Sequence, residues 1–203
     1  MPNANTPRGL VPVNGAYSQP YSAGVRLYYH DAGDATAIGV GDLVTATGAS
    51  YFYNQGGIIQ PLSIVTRSAT GDVFQGVCVG VLQATRDTPI YAPASMGVAI
   101  FVCDDPNALF WAQDANSGTP LTANDIGLNV NISVGAVNTT TGFSSTVLDN
   151  TTEATTNTLD LKIVAQYQDP TLDFGSSVSS GAAANKFLVR INRHRFANQV
   201  AGI

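Results

Sequence analysis

Strict alternation is the feature that most restricts what this chain can fold into. In Gly127-Leu128-Asn129-Val130-Asn131-Ile132-Ser133-Val134 apolar and polar residues take turns without a slip. Leu159-Asp160-Leu161-Lys162-Ile163-Val164 repeats the pattern, and Phe187, Val189 and Ile191 are interleaved with Leu188, Arg190 and Asn192. A period of two sets one row of side chains against a core and the other toward water, the signature of a β-strand. What is missing argues the same way. Of 14 acidic residues 13 are Asp, with Glu153 the single Glu, and of nine bases only Lys162 and Lys186 are Lys. Glu and Lys are the residues that normally cover exposed helices. Val, Ile, Thr, Tyr and Phe fill the apolar stretches instead, and 20 Gly and 10 Pro supply turns.

The chain reads as about ten short strands, separated by turn signals every 8–15 residues or so. They fall at Val25–Tyr29, Gly41–Thr45, Ile58–Thr66, Val73–Leu82, Gly97–Cys103, Leu109–Ala112, Ile126–Val134, Phe143–Leu148, Leu159–Val164 and Phe187–Ile191. Gly76 and Gly80 inside the longest apolar run mark bends or close backbone approach. The expected fold is all-β: a single sandwich- or barrel-like domain over residues 25–203, of β-tulip or jelly-roll kind. Residues 1–24 carry Pro2, Pro7, Pro12 and Pro20. Proline at that density blocks helix and weakens any ladder, so this segment is expected to be an extended N-terminal arm. Its apolar anchors Leu10, Val11, Val13, Tyr17 and Tyr21 are too many for a free tail, so the arm should lie on its own domain or on a neighbour, with contact to a neighbour expected to supply most of its order.

Charge and motif content narrow the function. Only 11% of residues are charged and the net charge is −5, with a sequence pI near 4.6. Such a chain is not expected to seek nucleic acid or an anionic membrane. No run approaches the ~18 apolar residues of a membrane helix, and Met1–Thr6 lacks an apolar signal core. Synthesis in the host cytoplasm is therefore expected. Cys78 and Cys103 each sit in an apolar run and read as buried thiols rather than a bridge. No nucleophile elbow, phosphate loop, zinc motif or dinucleotide fingerprint occurs. His30, Asp31 and Asp34 read as a solvated turn. Asp104 and Asp105 before Pro106 read as a turn in preference to a Ca²⁺ site. The expectation is a non-enzymatic protein with no catalytic residue, no metal and no cofactor.

One charge cluster stands out. Arg190, Arg193 and Arg195, with Lys186 and His194, put four of the nine bases in the last 18 residues. Arginine favours buried or interfacial ion pairs, so these three residues are expected at a subunit boundary. Tyr28, Tyr29, Tyr51, Phe52 and Tyr53 could instead stack on sugars, which keeps open a glycan-binding protein. A glycan hydrolase is a third class, and no motif speaks for it.

Four stretches resemble the capsid decoration (cement) proteins of tailed bacteriophages. These are Pro7-Arg8-Gly9-Leu10-Val11-Pro12-Val13, Cys103-Asp104-Asp105-Pro106-Asn107-Ala108-Leu109-Phe110, Asp125-Ile126-Gly127-Leu128-Asn129 and Leu188-Val189-Arg190-Ile191-Asn192-Arg193-His194. They span nearly the whole chain in order. The resemblance implies a structural protein on the outside of an icosahedral shell, binding the major capsid protein and holding neighbouring subunits together. It implies no cofactor, and a homotrimer as the first guess for assembly. For the glycan-binding alternative, it implies a head-fibre or tail component that binds host glycans. Arg8, Leu10, Val11, Val13, Tyr17, Tyr21, Arg190, Arg193 and Arg195 are the expected contact residues to shell or sister copy.

Overall fold

The structure is a computed structural model that describes residues 5–13, 24–115, 119–167, 184–197, 199 and 202. Tyr17 and Tyr21 lie outside the described residues. Twelve strands form among the described residues: β1 (Val11–Pro12), β2 (Val25–His30), β3 (Leu43–Gln55), β4 (Ile58–Arg67), β5 (Gly76–Val81), β6 (Val98–Cys103), β7 (Phe110–Gln113), β8 (Asn129–Val130), β9 (Ile132–Ser133), β10 (Val147–Leu148), β11 (Leu161–Gln166) and β12 (Lys186–Ile191). The protein is all-β, and no described helix reaches seven residues.

Strands β2, β4, β3, β5 and β6 close into a barrel in that order. Alternation decides which side chains fill it. Tyr28 lies opposite Ile100, and Cys78 opposite Val102. These four join Ile38, Val44, Val65, Ala92 and Val98 in one buried cluster. Leu43, Val77 and Cys103 point the other way, into a larger core shared with the second sheet. The two thiols therefore lie on opposite faces of adjacent strands and stay free and buried. Burial pushes the Cys78 thiol up to about 12 and that of Cys103 to about 11. Gly80 lies at a register shift of β5, where the ladder bulges.

The second sheet runs β1-β7-β12-β11-β8, antiparallel throughout. Phe187, Val189 and Ile191 face the shared core from β12 with Phe110, Leu161 and Ile163. The alternating stretch at 127–134 yields only the short strands β8 and β9, and between them the backbone turns to side chains: Asn131 N–H donates to the Thr152 hydroxyl and Ile132 N–H to the Asp160 carboxylate. β9 then pairs with β10.

Of the N-terminal segment, residues 5–13 pack on their own domain, one of the two surfaces its apolar anchors allowed. β1 adds to β7, Leu10 N–H donates to the Gly41 carbonyl at 2.9 Å, and Val13 N–H donates to Leu109. Leu10 is fully buried among Leu43, Phe110 and Val189. Gly9 has φ +67°, and a β-carbon there would collide with the Gly41 carbonyl. Only glycine permits both the turn and the approach. Leu10→Ala is expected to cost about 2–5 kcal/mol of stability, read from urea denaturation. Deleting residues 2–13 is expected to leave no stably folded domain, and a cooperative wild-type-like melt of that deletion would contradict the packing described.

Candidate functional site

The β3–β4 hairpin outruns the barrel. β3 pairs with β5 only at Leu43 and Val44, and β4 pairs with β2 only at Ile64 and Val65. Among the described residues, from Ser50 to Ser63 the two strands pair only with each other, around the Gly56-Gly57 turn. No Asp, Glu, Lys or Arg occurs between Asp42 and Arg67. Solvent-facing strand edges are normally guarded by charge or proline, and here Pro61 is the single such guard. The strand expected from the sequence ends at Thr45, short of Ala46-Thr47-Gly48-Ala49. A register shift between Ala46 and Ser50 absorbs those residues, and the strand continues.

The two faces of this ribbon differ. Tyr51 and Tyr53 turn toward Tyr29, with the Tyr29 and Tyr51 rings stacked 3.9 Å apart. Leu62 and Ala99 complete this small cluster. Burial, followed by the Tyr51 hydroxyl, pushes the Tyr29 phenol up to about 12. The opposite face carries Ser50 and Ser63, Phe52 and Pro61, and Asn54 and Ile59 as cross-strand pairs. Phe52 is 69% exposed, Ile59 64% and Ile58 at the turn 72%. Tyr28 is buried in the barrel, so the five aromatics do not form one platform.

The residues expected at an interface scatter. Arg8 is exposed and lies over the Phe143 ring, 5.3 Å from its centroid. Val11 and Val13 are half-buried in the β1 region, and Leu10 is inside the core. Arg190 is half-buried on β12, opposite Lys162 of β11. Arg193 turns inward: its Nε donates to the Asp72 carbonyl at 3.1 Å and its Nη1 to the Thr158 carbonyl at 2.7 Å. It ties its own loops together. Arg195 is exposed and stands near the ribbon's base, where its Nη2 reaches the Ala46 carbonyl at 3.5 Å.

The buried acids hold loops. Asp160 accepts N–H bonds from Gly71 and Ile132 while its carbonyl takes Asn192 N–H. Asp104 accepts the Tyr28 hydroxyl at 2.7 Å and pairs with Arg26 at 3.4 Å. Asp105 caps Asn107 N–H, an ordinary turn bond. Asp34 caps Thr36 N–H and lies 3.5 Å from His30. Burial alone would raise its carboxyl, but hydrogen bonds from Thr66 and Thr36 with the His30 charge lower it on balance. His30 presents both ring nitrogens to carbonyl oxygens, those of Met96 and Thr36, each at 3.0 Å. Among the described residues no group of three His, Cys, Asp or Glu is placed to hold a metal ion. The chain matches no protein-family model, no curated protein and no solved structure.

Two expectations follow from these bonds. Arg193→Ala removes two charge-assisted bonds and should cost roughly 1–3 kcal/mol of fold stability, measured by chemical denaturation. Asp114 is fully buried and accepts Leu121 N–H at 3.1 Å, and burial pushes its carboxyl up to about 7. An unfolded Asp titrates near ~3.9. Between those values the unfolded chain ionises while the folded one stays protonated, so this group's contribution to stability falls as pH rises and levels off above about 7. Asp114→Asn keeps an acceptor for Leu121 and should remove that component. Melting temperatures from about pH 4 to pH 8 should drop more in the wild type than in the variant, and parallel curves would contradict this.

Proposed function

We propose that the chain is a non-enzymatic structural protein of a tailed-phage virion, which binds the outer surface of the capsid and bridges major capsid protein subunits. The observation that carries this reading is the uncharged β3–β4 ribbon with Phe52, Ile58 and Ile59 exposed. A two-stranded ribbon standing alone in water is marginally stable, and apolar side chains grouped on such a projection mark an interaction surface. Each copy on a shell repeats the same modest contact, and the contacts combine through multivalency. The resemblance of the four stretches named above points to the same class. A homotrimer remains the proposed assembly, with sedimentation velocity as its measurement.

Co-sedimentation with capsids assembled from the cognate major capsid protein tests the reading. Wild-type protein should pellet with the shells and raise their melting temperature. The double variant Phe52→Asp, Ile59→Asp should fold normally, because both side chains lie outside the core. Its capsid affinity should fall about tenfold or more, the equivalent of ~1.4 kcal/mol. Full occupancy by the variant would remove the ribbon from the interface. A glycan array that lights up on Phe52 instead would favour the head-fibre or tail alternative.

A further inference from the structure

The inward file of β2 ends in a charge. Tyr28 and Arg26 lie two residues apart, opposite Ile100 and Val102 of the barrel cluster. Side chains two apart on a strand share a face, so Arg26 continues the barrel's inner file to its mouth. At the opposite end of the same file, His30 is fully buried under the carbonyls of Thr36 and Met96. One mouth is thus closed by a buried residue, and the other opens on a guanidinium whose side chain is 68% exposed.

That open mouth is a cavity of about 410 Å³. Arg26 and Arg195 stand in its wall, Tyr28 and Gln75 in its interior, and Ser50 and Ser63 where it meets the ribbon. Its interior polar groups are already bonded to one another: Gln75 Nε2 donates to the Tyr28 hydroxyl at 2.9 Å, which donates to Asp104 at 2.7 Å. Burial, then the bond to Asp104, pushes the Tyr28 phenol up to about 12, so it stays a neutral donor. The two guanidiniums are different. Arg26 engages Asp104 through Nε, and Arg195 reaches Ala46 through one Nη2 at the limit of bonding distance. A guanidinium carries five N–H donors in a rigid fork suited to carboxylates. Among the described residues, most donors on both arginines therefore remain for an incoming anion. In a chain of 14 acids and nine bases, two cations sharing one cavity are a concentrated exception.

Position gives the cavity its partner. Ser50 and Ser63 form a cross-strand pair on the same ribbon face as Phe52 with Pro61 and Asn54 with Ile59. The cavity and the exposed apolar row are thus one continuous surface, cationic at its base and uncharged along its length. We infer that Arg26 and Arg195 at the barrel mouth receive a carboxylate side chain from the protein surface on which the ribbon lies; this rests on the docking reading above. The apolar row contributes contact area, and the ion pair orients the ribbon and selects an acidic patch as its landing place.

Two measurements decide it. In the first, the isolated protein is titrated with an acetylated tetraglutamate peptide while the arginine Nε–Hε resonances are followed by NMR. Tetraglutamine and sialyllactose serve as parallel probes. The Arg26 and Arg195 signals should move with tetraglutamate and stay still with tetraglutamine. Unmoved signals would overturn the inference, and so would tighter binding of sialyllactose, which would make the site a sugar-acid pocket. In the second, Arg195→Gln should lower capsid affinity about tenfold at low salt and flatten its salt dependence. Unchanged affinity and salt dependence would also overturn it. Arg195→Gln is the cleaner variant because Arg26 additionally neutralises Asp104. Wild-type protein that fails to bind capsids at all would count against the virion role, while the peptide titration still decides the cavity.

Discussion

A single buried carboxylate ties the barrel to the loop that leads to β10. Asp42 is fully buried, and its Oδ1 accepts the hydroxyls of Ser144 at 2.5 Å and Thr146 at 3.1 Å while its Oδ2 accepts Gly39 N–H at 2.8 Å. The backbone around it extends the knot. Cys78 N–H donates to the Asp42 carbonyl, Gly41 N–H to Cys78, and Leu10 N–H to Gly41. The N-terminal segment, the barrel and the loop leading to β10 therefore meet at one residue. A buried carboxylate is tolerable only when its oxygens are engaged. Burial raises this carboxyl, and the hydroxyl and amide donors around it oppose that rise. Losing it would strand those donors together.

From that junction the division of labour follows. The shared core, with Leu43 and Val77 from the barrel and Phe187 and Val189 from the sheet, makes barrel and sheet one packed body. Among the described residues, what the body does not cover is the outer length of β3 and β4. A cooperative core beneath an uncovered ribbon places exposed apolar side chains on a defined base. That base keeps Phe52 and Ile59 at a fixed distance from the guanidiniums at the barrel mouth. A flexible tail bearing the same residues would pay far more ordering entropy on docking.

Charge is used sparingly, and four acids and one lysine among the described residues are buried. Asp42, Asp104, Asp114 and Asp160 are all buried, and each accepts hydrogen bonds from its own fold. Lys186 is buried beneath the Trp111 ring, 5.4 Å from its centroid. Arg193 clasps two loop carbonyls. The arginines grouped near the chain end thus divide by conformation. Arg193 and Arg195 are two residues apart, yet one is a clasp and the other reaches the cavity, because the strand has ended and alternation no longer governs them.

Period-two patterning was enough to place β11 and β12 and their buried rows. Phe187, Val189 and Ile191 face the core as their spacing requires, and the scarcity of Glu and Lys argued against a helical surface. Those signals are local, carried by neighbours two residues apart. Only the tertiary structure decided that β2 and β4 lie side by side to close a barrel, that Leu10 belongs inside the core, and that β3 runs on through a bulge at Ala46–Ser50. Asp42 gave no sign of its role, since its partners Ser144 and Thr146 lie in a different part of the chain. Arg26 and Arg195 come to one cavity from opposite ends of the sequence. Contacts of that range depend on which surfaces fit once burial and hydrogen bonding are satisfied together, and no periodicity along the chain encodes that fit.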